Sequence, residues 1–224
     1  MGTHVQSFLI ALQVFGGLPI NHHFNIMADL ITVVQYKDAE GLRGEKDDDR
    51  LNIIVPQVSD LVKKYCGISF IDFYSTDKVE TFSVDDTYTS TIIVSESPLV
   101  EVSKVEERSS YSGSYVELTT GNYEYYVDLE ADAIIRTNAE GKPLPFKQGV
   151  GAVKITYKAG YSTTPKDLQL ALFDLVNYYM KDEHKERRTL GGAQIANQGT
   201  AGIRNSTDFP DHIKRVLDLY RVVI

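Results

Sequence analysis

The pattern of apolar and polar positions predicts that a strand turns sharply into a long amphipathic helix within residues 151–186. The strand has the period of two expected when one face is buried, with apolar residues at Val153, Ile155 and Tyr157. Gly160 permits the turn. The helix carries an apolar stripe at helical spacing that comprises Leu168, Ala171, Leu172, Leu175, Val176, Tyr179 and Met180. This stripe must be buried, so we expect other helices to cover it.

Three residues mark the start of this helix. Thr164 is suited to cap it, and Pro165 suits the first helical position because an N–H there would have no intrahelical partner. Asp167 is placed to complete a capping-box-like pair in the positively polarised first turn. We therefore expect the helix to occupy about residues 165–183.

Two helical patterns occur earlier in the chain. A Thr-x-x-Gln capping box at Thr32 predicts a short helix through about Ala39, which Gly41 and Gly44 end. A second helix is closed by Gly67, and its apolar stripe comprises Leu51, Ile54, Val55, Val58, Leu61, Val62 and Tyr65. Because proline removes one backbone hydrogen bond, we expect this helix to bend at Pro56.

The composition changes between about residues 71 and 159, which are rich in Val, Ile, Thr, Tyr and Ser with turn residues at short intervals. This pattern predicts a run of antiparallel strands that form a sheet inserted between helices. The candidate strands are residues 79–84, 88–94, 100–107, 114–119, 123–129, 133–136 and 152–158.

Tyrosines crowd this β region at Tyr111, Tyr115, Tyr123, Tyr125 and Tyr126. They could form a platform that stacks sugars or nucleic-acid bases. However, Tyr is a favoured strand residue and the neighbouring charges are mainly Glu and Asp, so we favour packing on the sheet. Contact with neighbouring subunits is a further role for them, since tyrosines are enriched at interfaces.

The chain ends with a glycine-rich loop and one more helix. Residues 189–207 show no periodicity and lack the lysine and hydroxyl of a phosphate-binding loop. Pro210 then fits a helix start, and the residues that share one face are Phe209, Ile213, Val216, Leu217 and Tyr220. An apolar tail, Val222 to Ile224, follows. Two interpretations remain open: this end docks on the protein's own helices, or it inserts into a partner.

Three groups of polar residues resemble metal ligands, and we interpret each as structural. Residues 47–49 are all Asp but stand just before a helical stripe, where carboxylates are favoured by the helix dipole. His22 and His23 have no carboxylate or thiol at ligand spacing. Residues 182–184 are consecutive, so their side chains point in different directions on a helix. We expect no metal site and no cofactor.

The overall composition narrows the function classes. The 23 basic and 31 acidic residues give a formal net charge of −8, which argues against wrapping a phosphate backbone. Cys66 is the only cysteine, so no internal disulfide is possible, and we expect it to pack in the core. No apolar run approaches the length of a membrane span, and a signal peptide is not indicated. No catalytic motif is present, so we do not expect an enzyme.

The strand-to-helix turn resembles a known family. The stretch YKAGY, a short Thr/Pro turn and a helix that begins PKDLQLALFDLVNYY are similar to the gp6-like family of bacteriophage head–tail connector (adaptor, or head completion) proteins. The stretches IIVSESPLVEVSKVEE and NYEYYVDLEADAIIRT also fit the family. The segment MADLITVVQYKD resembles the way in which members begin, and a helix with YR near the terminus resembles the way in which they end. The resemblance covers residues 27–224.

The helical stripes and the strand-rich region together predict an α+β fold, a helical bundle of three to four helices with an inserted antiparallel β-sheet module. The insert is where this chain departs from the shortest members of the family, which are nearly all helical. We expect helical parts at residues 27–70 and 161–224, with the β module at 71–160 between them. The second helical part would contain a mobile loop at 189–207. Residues 1–26 are interpreted as an extension outside the domain or the product of an upstream translation start.

The function that the resemblance implies is structural. Such proteins form a ring of about twelve copies in the virion neck, between capsid and tail, after synthesis in the host cytoplasm. The expected partners are the portal protein, a tail completion or stopper protein, and other copies of the same chain. Genomic DNA would pass through the channel without sequence-specific binding, and no membrane is involved.

By the same resemblance, the C-terminal helix and tail are the candidate portal interface, with residues Phe209, Ile213, Arg215, Val216, Leu217, Tyr220, Arg221, Val222, Val223 and Ile224. The candidate channel-facing or neck-facing loop carries Leu190, Gln194, Asn197, Gln198 and Arg204. The helix at 165–183 would be scaffold.

Two other function classes remain open. The first is a soluble carbohydrate- or peptide-binding β module, carried on helices, that uses the tyrosine-rich strands. Ring formation would discriminate it from a connector. The second is a hydrolase with dispersed catalytic residues, which would need a deep polar pocket that no sequence feature marks.

Overall fold

Four helices and seven strands occupy the part of the chain that the structure, a computed structural model, describes: residues 28–182 and 209–222. The fold is therefore α+β, and all its strand pairs are antiparallel. The predictions for residues 1–26, which include the His22–His23 pair, lie outside the described residues. The same holds for the loop at 189–207, for residues 183 and 184, and for the last two residues of the tail.

The helices are α1 (Val33–Glu40), α2 (Asp48–Cys66), α3 (Lys166–Met180) and α4 (Asp211–Asp218). The capping box predicted at Thr32 is confirmed: its hydroxyl accepts from Gln35 N at 3.1 Å, and Gln35 Oε1 accepts from Thr32 N at 2.8 Å. Gly41 and Gly67 end α1 and α2 in the left-handed conformation, as expected. Helix α2 continues through Pro56. Within the described residues, none of these helices has both the length and the apolar character needed to cross a membrane.

Two predicted caps are wrong. The hydroxyl of Thr164 does not cap α3 but donates to the backbone oxygen of Leu30 at 2.5 Å. Thr164 is buried there, and the carbonyl of Leu30 would otherwise lack a donor in a place that water does not reach. Asp167 completes no capping box either, because its carboxylate accepts from the hydroxyl of Tyr220. Asp47, which precedes α2, makes no side-chain cap bond, whereas Asp48 in the first turn pairs with Lys37 at 2.6 Å.

All four described helices contribute to one apolar core. The predicted stripe of α3 supplies five buried residues to it, as expected, and Cys66 is buried in the same core. The fully buried residues of the core include Ile31, Leu51, Val62, Phe70, Leu168, Leu172, Leu175, Ile213 and Leu217. The prediction for α2 is wrong at one position: Leu61 remains 37% exposed.

The strands are β1 (Lys78–Val84), β2 (Thr91–Ile93), β3 (Leu99–Glu107), β4 (Val116–Leu118), β5 (Tyr125–Asp128), β6 (Ala133–Arg136) and β7 (Gly149–Ala159). Each of the seven predicted strands corresponds to one of these. Strands β2, β4 and β5 are shorter than predicted, because the residues at their ends form turns and do not pair with a neighbouring strand.

The strands form two sheets, not the single sheet that the sequence suggested. One sheet has the order β1-β7-β3-β4 and the other has the order β2-β6-β5. Both contribute to a second apolar core, in which Val105, Ile155 and Tyr157 of the first sheet meet Ile92 and Ile134 of the second. Burial alternates along β1 and the second half of β7, and the two sheets pack their inner faces against each other.

The two sheets differ in their outer faces. The four-stranded sheet carries cross-strand ion pairs there: Lys154 with Glu106 at 2.6 Å, and Lys158 with Glu101 at 3.0 Å. The three-stranded sheet instead exposes Ile93, 67% accessible, on the outside. A charged, paired face is typical of contact with water, whereas an exposed apolar face is a candidate for contact with a ligand or partner.

Gly160 lies where the chain leaves the β core for the helical core. Its N–H donates to the oxygen of Pro98 at 2.8 Å, and the N–H of Tyr161 donates to the oxygen of Phe70 at 2.7 Å. Gly160 has a φ of +101°, and a Cβ added to it would lie 2.0 Å from the oxygen of Phe70. Only glycine allows the two chain segments to approach so closely.

We predict that Gly160→Ala lowers the free energy of unfolding by more than about 3 kcal/mol, because the new methyl group meets backbone that cannot move aside. Urea denaturation followed by circular dichroism measures the change. Gly121→Ala is the control, since nothing lies within 4 Å of its added Cβ, and it should change stability by less than about 0.5 kcal/mol. Equal denaturation midpoints for the two variants would refute the close-contact argument.

A polar network adds a second connection between the two cores. The buried carboxylate of Glu96 accepts from the N–H and hydroxyl of Ser69, at 2.7 and 2.8 Å, and from Lys78 Nζ at 3.0 Å. The neighbouring Glu80 carboxylate accepts from the hydroxyl of Tyr157 at 2.7 Å. Ser69 follows α2, whereas Tyr157 lies in β7, so the network joins the helical end to the sheets.

Stability should fall on acidification because of Glu80. Burial raises the pKa of this carboxyl, but hydrogen bonds from Ser95 and Tyr157 and the charge of Lys78 outweigh burial and hold the pKa below its ordinary 4.5. A lowered pKa stabilises the fold above the ordinary value, and this contribution is lost as the pH falls through the folded-state pKa. We predict that Glu80→Gln costs about 1–2 kcal/mol at pH 7 and flattens the loss of stability below about pH 4.5.

Urea titrations from neutral to acidic pH test this prediction. Glu101→Gln is the matched control, because Glu101 also pairs with a lysine but its side chain is 59% exposed. An acid dependence of Glu80→Gln that equals that of the wild type would contradict the role given to Glu80.

Candidate partner interface

The C-terminal helix α4 packs its apolar face on the protein's own core. Phe209 meets the ring of Tyr65 edge to face, with 5.0 Å between ring centroids. Ile213 and Leu217, one turn apart, are fully buried against α2 and α3. The spacing that predicted one apolar face is therefore correct. Two interpretations were left open for this face, and in the structure it docks on the protein's own helices.

The segment after α4 is tied to the end of α2. The N–H of Val222 donates to the oxygen of Cys66 at 3.0 Å, and the Cys66 thiol donates to the oxygen of Leu217 at 3.6 Å. Burial raises the pKa of the Cys66 thiol to about 12, so the sulfur stays protonated and unreactive at neutral pH. The hydroxyl of Tyr65 adds a bond to Asp218 at 2.5 Å.

Tyr220 fixes the same segment to the start of α3. Its ring meets Phe70 and Tyr161 edge to face, with centroid distances of 5.7 and 6.1 Å. Its hydroxyl donates to both carboxylate oxygens of Asp167, at 2.7 and 2.9 Å. Burial and the bond to Asp167 raise the pKa of Tyr220 far above its ordinary value, so the hydroxyl remains a donor. Tyr161 follows Gly160 directly, so the C-terminal segment packs on the junction between the two cores.

We predict that Tyr220→Phe lowers the free energy of unfolding by about 1 kcal/mol, the usual contribution of one hydrogen bond. Tyr220→Ala should cost about 3–5 kcal/mol, because the cluster with Phe70 and Tyr161 is also lost. Denaturant titration of both variants separates the hydroxyl from the ring. Equal losses for the two variants would contradict a contribution of the ring packing.

The candidate portal residues divide into two groups by exposure. Phe209, Ile213 and Leu217 are buried, and the half-buried members of the set are Val216, Tyr220 and Val222. Arg215 and Arg221 are exposed. The assignment of the segment to portal binding stays a prediction, but only its exposed side chains are available to a partner. Val223, Ile224 and the five candidate residues of the preceding loop lie outside the described residues.

Sequence reasoning missed Leu219, which is 76% exposed at the end of α4. It follows Arg215 by one helical turn, so the two lie on the side opposite the buried stripe. The helical period could have predicted this exposure, because residue 219 is not at the spacing of the residues that form the apolar face of α4. We call Arg215, Leu219 and Arg221 the C-terminal surface.

A concave surface lies beside the opposite end of α2. This groove of about 420 Å³ is lined by Arg50, Ile54, Leu61 and Tyr179 among others, and Arg50 pairs with Asp182 at 2.8 Å beside it. Asp182 was one of three consecutive residues interpreted as a solvated helix end and not as a metal site. Among the residues that the structure describes, no group of three or more His, Cys, Asp or Glu side chains is arranged to hold a metal ion.

The tyrosines of the β region do not share one environment. Tyr125 is buried in the core, as the packing interpretation predicts. Tyr115 is half-buried, and the cations of Arg108 and Lys154 lie 4.9 and 4.4 Å from its ring centroid. The expectation that mainly Glu and Asp surround these tyrosines is therefore wrong at Tyr115, because cross-strand neighbours are not sequence neighbours. Tyr111, Tyr123 and Tyr126 are 59–79% exposed, so packing does not explain them.

Comparison with protein families gives one match along almost the whole chain. The family described as "Head completion protein" matches residues 29–223. The head completion protein of Escherichia phage T5 is 30% identical over 81 residues, which cover 36% of this chain and 45% of that protein. The chain thus spans about half the length of this curated relative. The resemblance drawn from the junction residues is confirmed by the family match.

Comparison with solved structures finds the same fold in gene transfer agent particles. A chain in the neck of the empty particle, computed with C6 symmetry, has a TM-score of 0.54 and 17% identity, and the match covers 87% of this chain and 91% of that chain. A chain in the neck of the native particle, computed with C12 symmetry, has a TM-score of 0.51 and 15% identity, with 88% and 95% covered. At these identities the likeness shows the fold alone.

Proposed function

The chain belongs to the head completion protein family, and from this premise we propose that it is a structural connector in the virion neck that joins the portal to the tail completion or stopper protein. The family match over residues 29–223 carries this proposal, because it includes the helices, both sheets and the junction between them. The solved relatives with this fold come from particle necks, which supports the same location.

The connector acts as a closed ring of about twelve copies around the DNA channel. Heterologous contacts around a closed cycle join the subunits, and the C6 and C12 symmetries of the relatives' necks support a cyclic arrangement. The formal net charge of −8 suits a channel past which DNA slides without being held. The loop residues Leu190, Gln194, Asn197, Gln198 and Arg204 remain our candidates for the channel wall or the next neck ring.

Portal docking is assigned to the C-terminal surface of Arg215, Leu219 and Arg221, with the Val223–Ile224 tail beyond it. The buried face of α4 and the bond from Val222 to Cys66 hold this surface in a defined position on the helical core. Each contact is small, but a ring binds its partner ring through many copies at once. Multivalency therefore raises the overall affinity far above that of one copy.

Cosedimentation with the portal ring, followed by electron microscopy of the sediment, tests the proposed function. A rotationally symmetric collar on the portal is the expected result. The proposal would be refuted if the chain stays monomeric and remains in the supernatant while the portal ring sediments without it. Deleting residues 209–224 is a blunt test, since it also removes Phe209, Ile213 and Leu217 from the core.

A point variant is sharper. We predict that Leu219→Asp reduces cosedimentation with the portal at least tenfold, because a charge replaces an apolar contact in every copy of the ring. Its own stability should change by less than about 0.5 kcal/mol, since Leu219 is 76% exposed. Leu170→Asp is the control: Leu170 is 64% exposed on α3 and is not part of the C-terminal surface. Equal loss of binding in both variants would contradict the assignment of docking to this surface.

A further inference from the structure

A cleft of about 340 Å³ opens on the three-stranded sheet, away from the C-terminal surface. Tyr123 and Tyr126 lie along it, and Ile135, the cross-strand neighbour of Tyr126 in β6, contributes to its lining. The turn at Asn138 and Pro143 forms another part of the lining. This volume is at the lower end of the range of about 300–1,000 Å³ that is typical of small-molecule sites.

The lining of the cleft is neutral. It consists of tyrosines, small or apolar residues, one threonine and one asparagine, and no charged side chain. By contrast, nearly one residue in four of the chain is charged, and the four-stranded sheet carries cross-strand ion pairs on its outer face. A lining without basic residues disfavours phosphate-bearing ligands such as nucleic acid, and a lining without either sign of charge disfavours charged peptides.

Both tyrosine rings remain accessible. Tyr123 is 65% and Tyr126 is 59% exposed, and neither ring packs against another aromatic ring within residues 28–182 and 209–222. Tyr123 also has a φ of +57°, which is unfavourable for a non-glycine residue. The backbone N–H of Tyr123 donates to the backbone oxygen of Thr120 at 2.9 Å, and the backbone oxygen of Tyr123 accepts from the Thr137 hydroxyl at 2.7 Å. This left-handed conformation ends the 3-10 turn Thr120–Asn122 and fixes the backbone from which the exposed ring projects.

Polar groups with free hydrogen-bonding capacity stand beside the rings. Asn138 Oδ1 accepts from the N–H groups of Glu140 and Lys142, at 3.1 and 2.9 Å, and this fixes the amide. Its Nδ2, and the hydroxyls of Tyr123 and Tyr126, have no partner among the described residues. The cleft therefore combines exposed aromatic faces with one amide held by two hydrogen bonds and two phenol hydroxyls.

We propose that this cleft binds a short neutral oligosaccharide. A pyranose ring presents C–H groups on one face, which pack on an aromatic ring, and hydroxyls at its edge, which pair with amide and phenol groups. The Tyr126 face would carry one sugar ring, and Asn138 Nδ2 would donate to its hydroxyls. This binding function goes beyond the connector role: residues of the β region line the cleft, whereas the C-terminal surface belongs to α4 and the residues that follow it.

Binding of maltotriose, cellotriose and chitotriose to the full chain tests the proposal, with saturation-transfer NMR and calorimetry as the measurements. At least one of the three should bind to the wild type. Tyr126→Ala should weaken that binding about tenfold, and Tyr126→Phe should weaken it less, because the ring face is kept. Tyr88→Ala is the matched control: Tyr88 is 88% exposed and is not part of the cleft, so binding should be unchanged.

Three results would overturn the proposal. The first is that none of the three oligosaccharides binds at millimolar concentration. The second is that Tyr88→Ala weakens binding as much as Tyr126→Ala, which would indicate nonspecific contact with exposed tyrosines. The third is that a decaproline peptide binds in the cleft and the sugars do not, which would assign it to a protein segment. Circular dichroism of each variant verifies that the fold is retained.

Discussion

The close approach of Gly160 to the backbone oxygen of Phe70 is the contact on which the rest of the structure depends. It joins the last strand of the β core to the turn that follows α2, and no side chain larger than hydrogen fits between them. At this point the backbone of the β core meets the backbone of the helical core directly, and the N–H of Tyr161 donates to the oxygen of Phe70. The Glu96 and Glu80 network reinforces the same connection with buried, hydrogen-bonded carboxylates.

The junction also positions the surface proposed to bind a partner. Tyr161 is the residue after Gly160, and its ring lies with Phe70 and Tyr220 in one aromatic cluster. The C-terminal helix is therefore held against the point where the two cores meet, and its outward residues have a defined orientation relative to both. In a connector, this arrangement would transmit a load between the two ends through packed side chains instead of a flexible linker.

The outer surfaces of the molecule differ in their chemistry. The four-stranded sheet carries cross-strand ion pairs beside the exposed Val79, whereas the three-stranded sheet exposes Ile93 and Tyr126. The exposed residues at the end of α4 combine two arginines with a leucine, which is a composition typical of protein interfaces. A single chain thus carries surfaces of different chemistry on two cores.

The sequence by itself determined the secondary structure and the family. Strand-rich composition between turn residues predicted the seven strands, and helical spacing predicted the buried stripe of α3, since both patterns are local and can be read without knowing the neighbour. The Thr32 capping box and the glycines after α1 and α2 are local for the same reason. The residues around Gly160, together with stretches in the strands and near both ends, indicated the family because each is a contiguous stretch of sequence.

Only the tertiary structure decided which distant groups meet. Thr164 donates to Leu30, 134 residues away, and Asp167 accepts from Tyr220, 53 residues away. Neither side chain therefore caps the helix beside it. The division into two sheets, the burial of Phe209 against Tyr65 and the exposure of Tyr123 and Tyr126 likewise depend on long-range pairing. A periodic pattern shows that a face is buried but not what buries it, because the covering residues belong to another part of the chain.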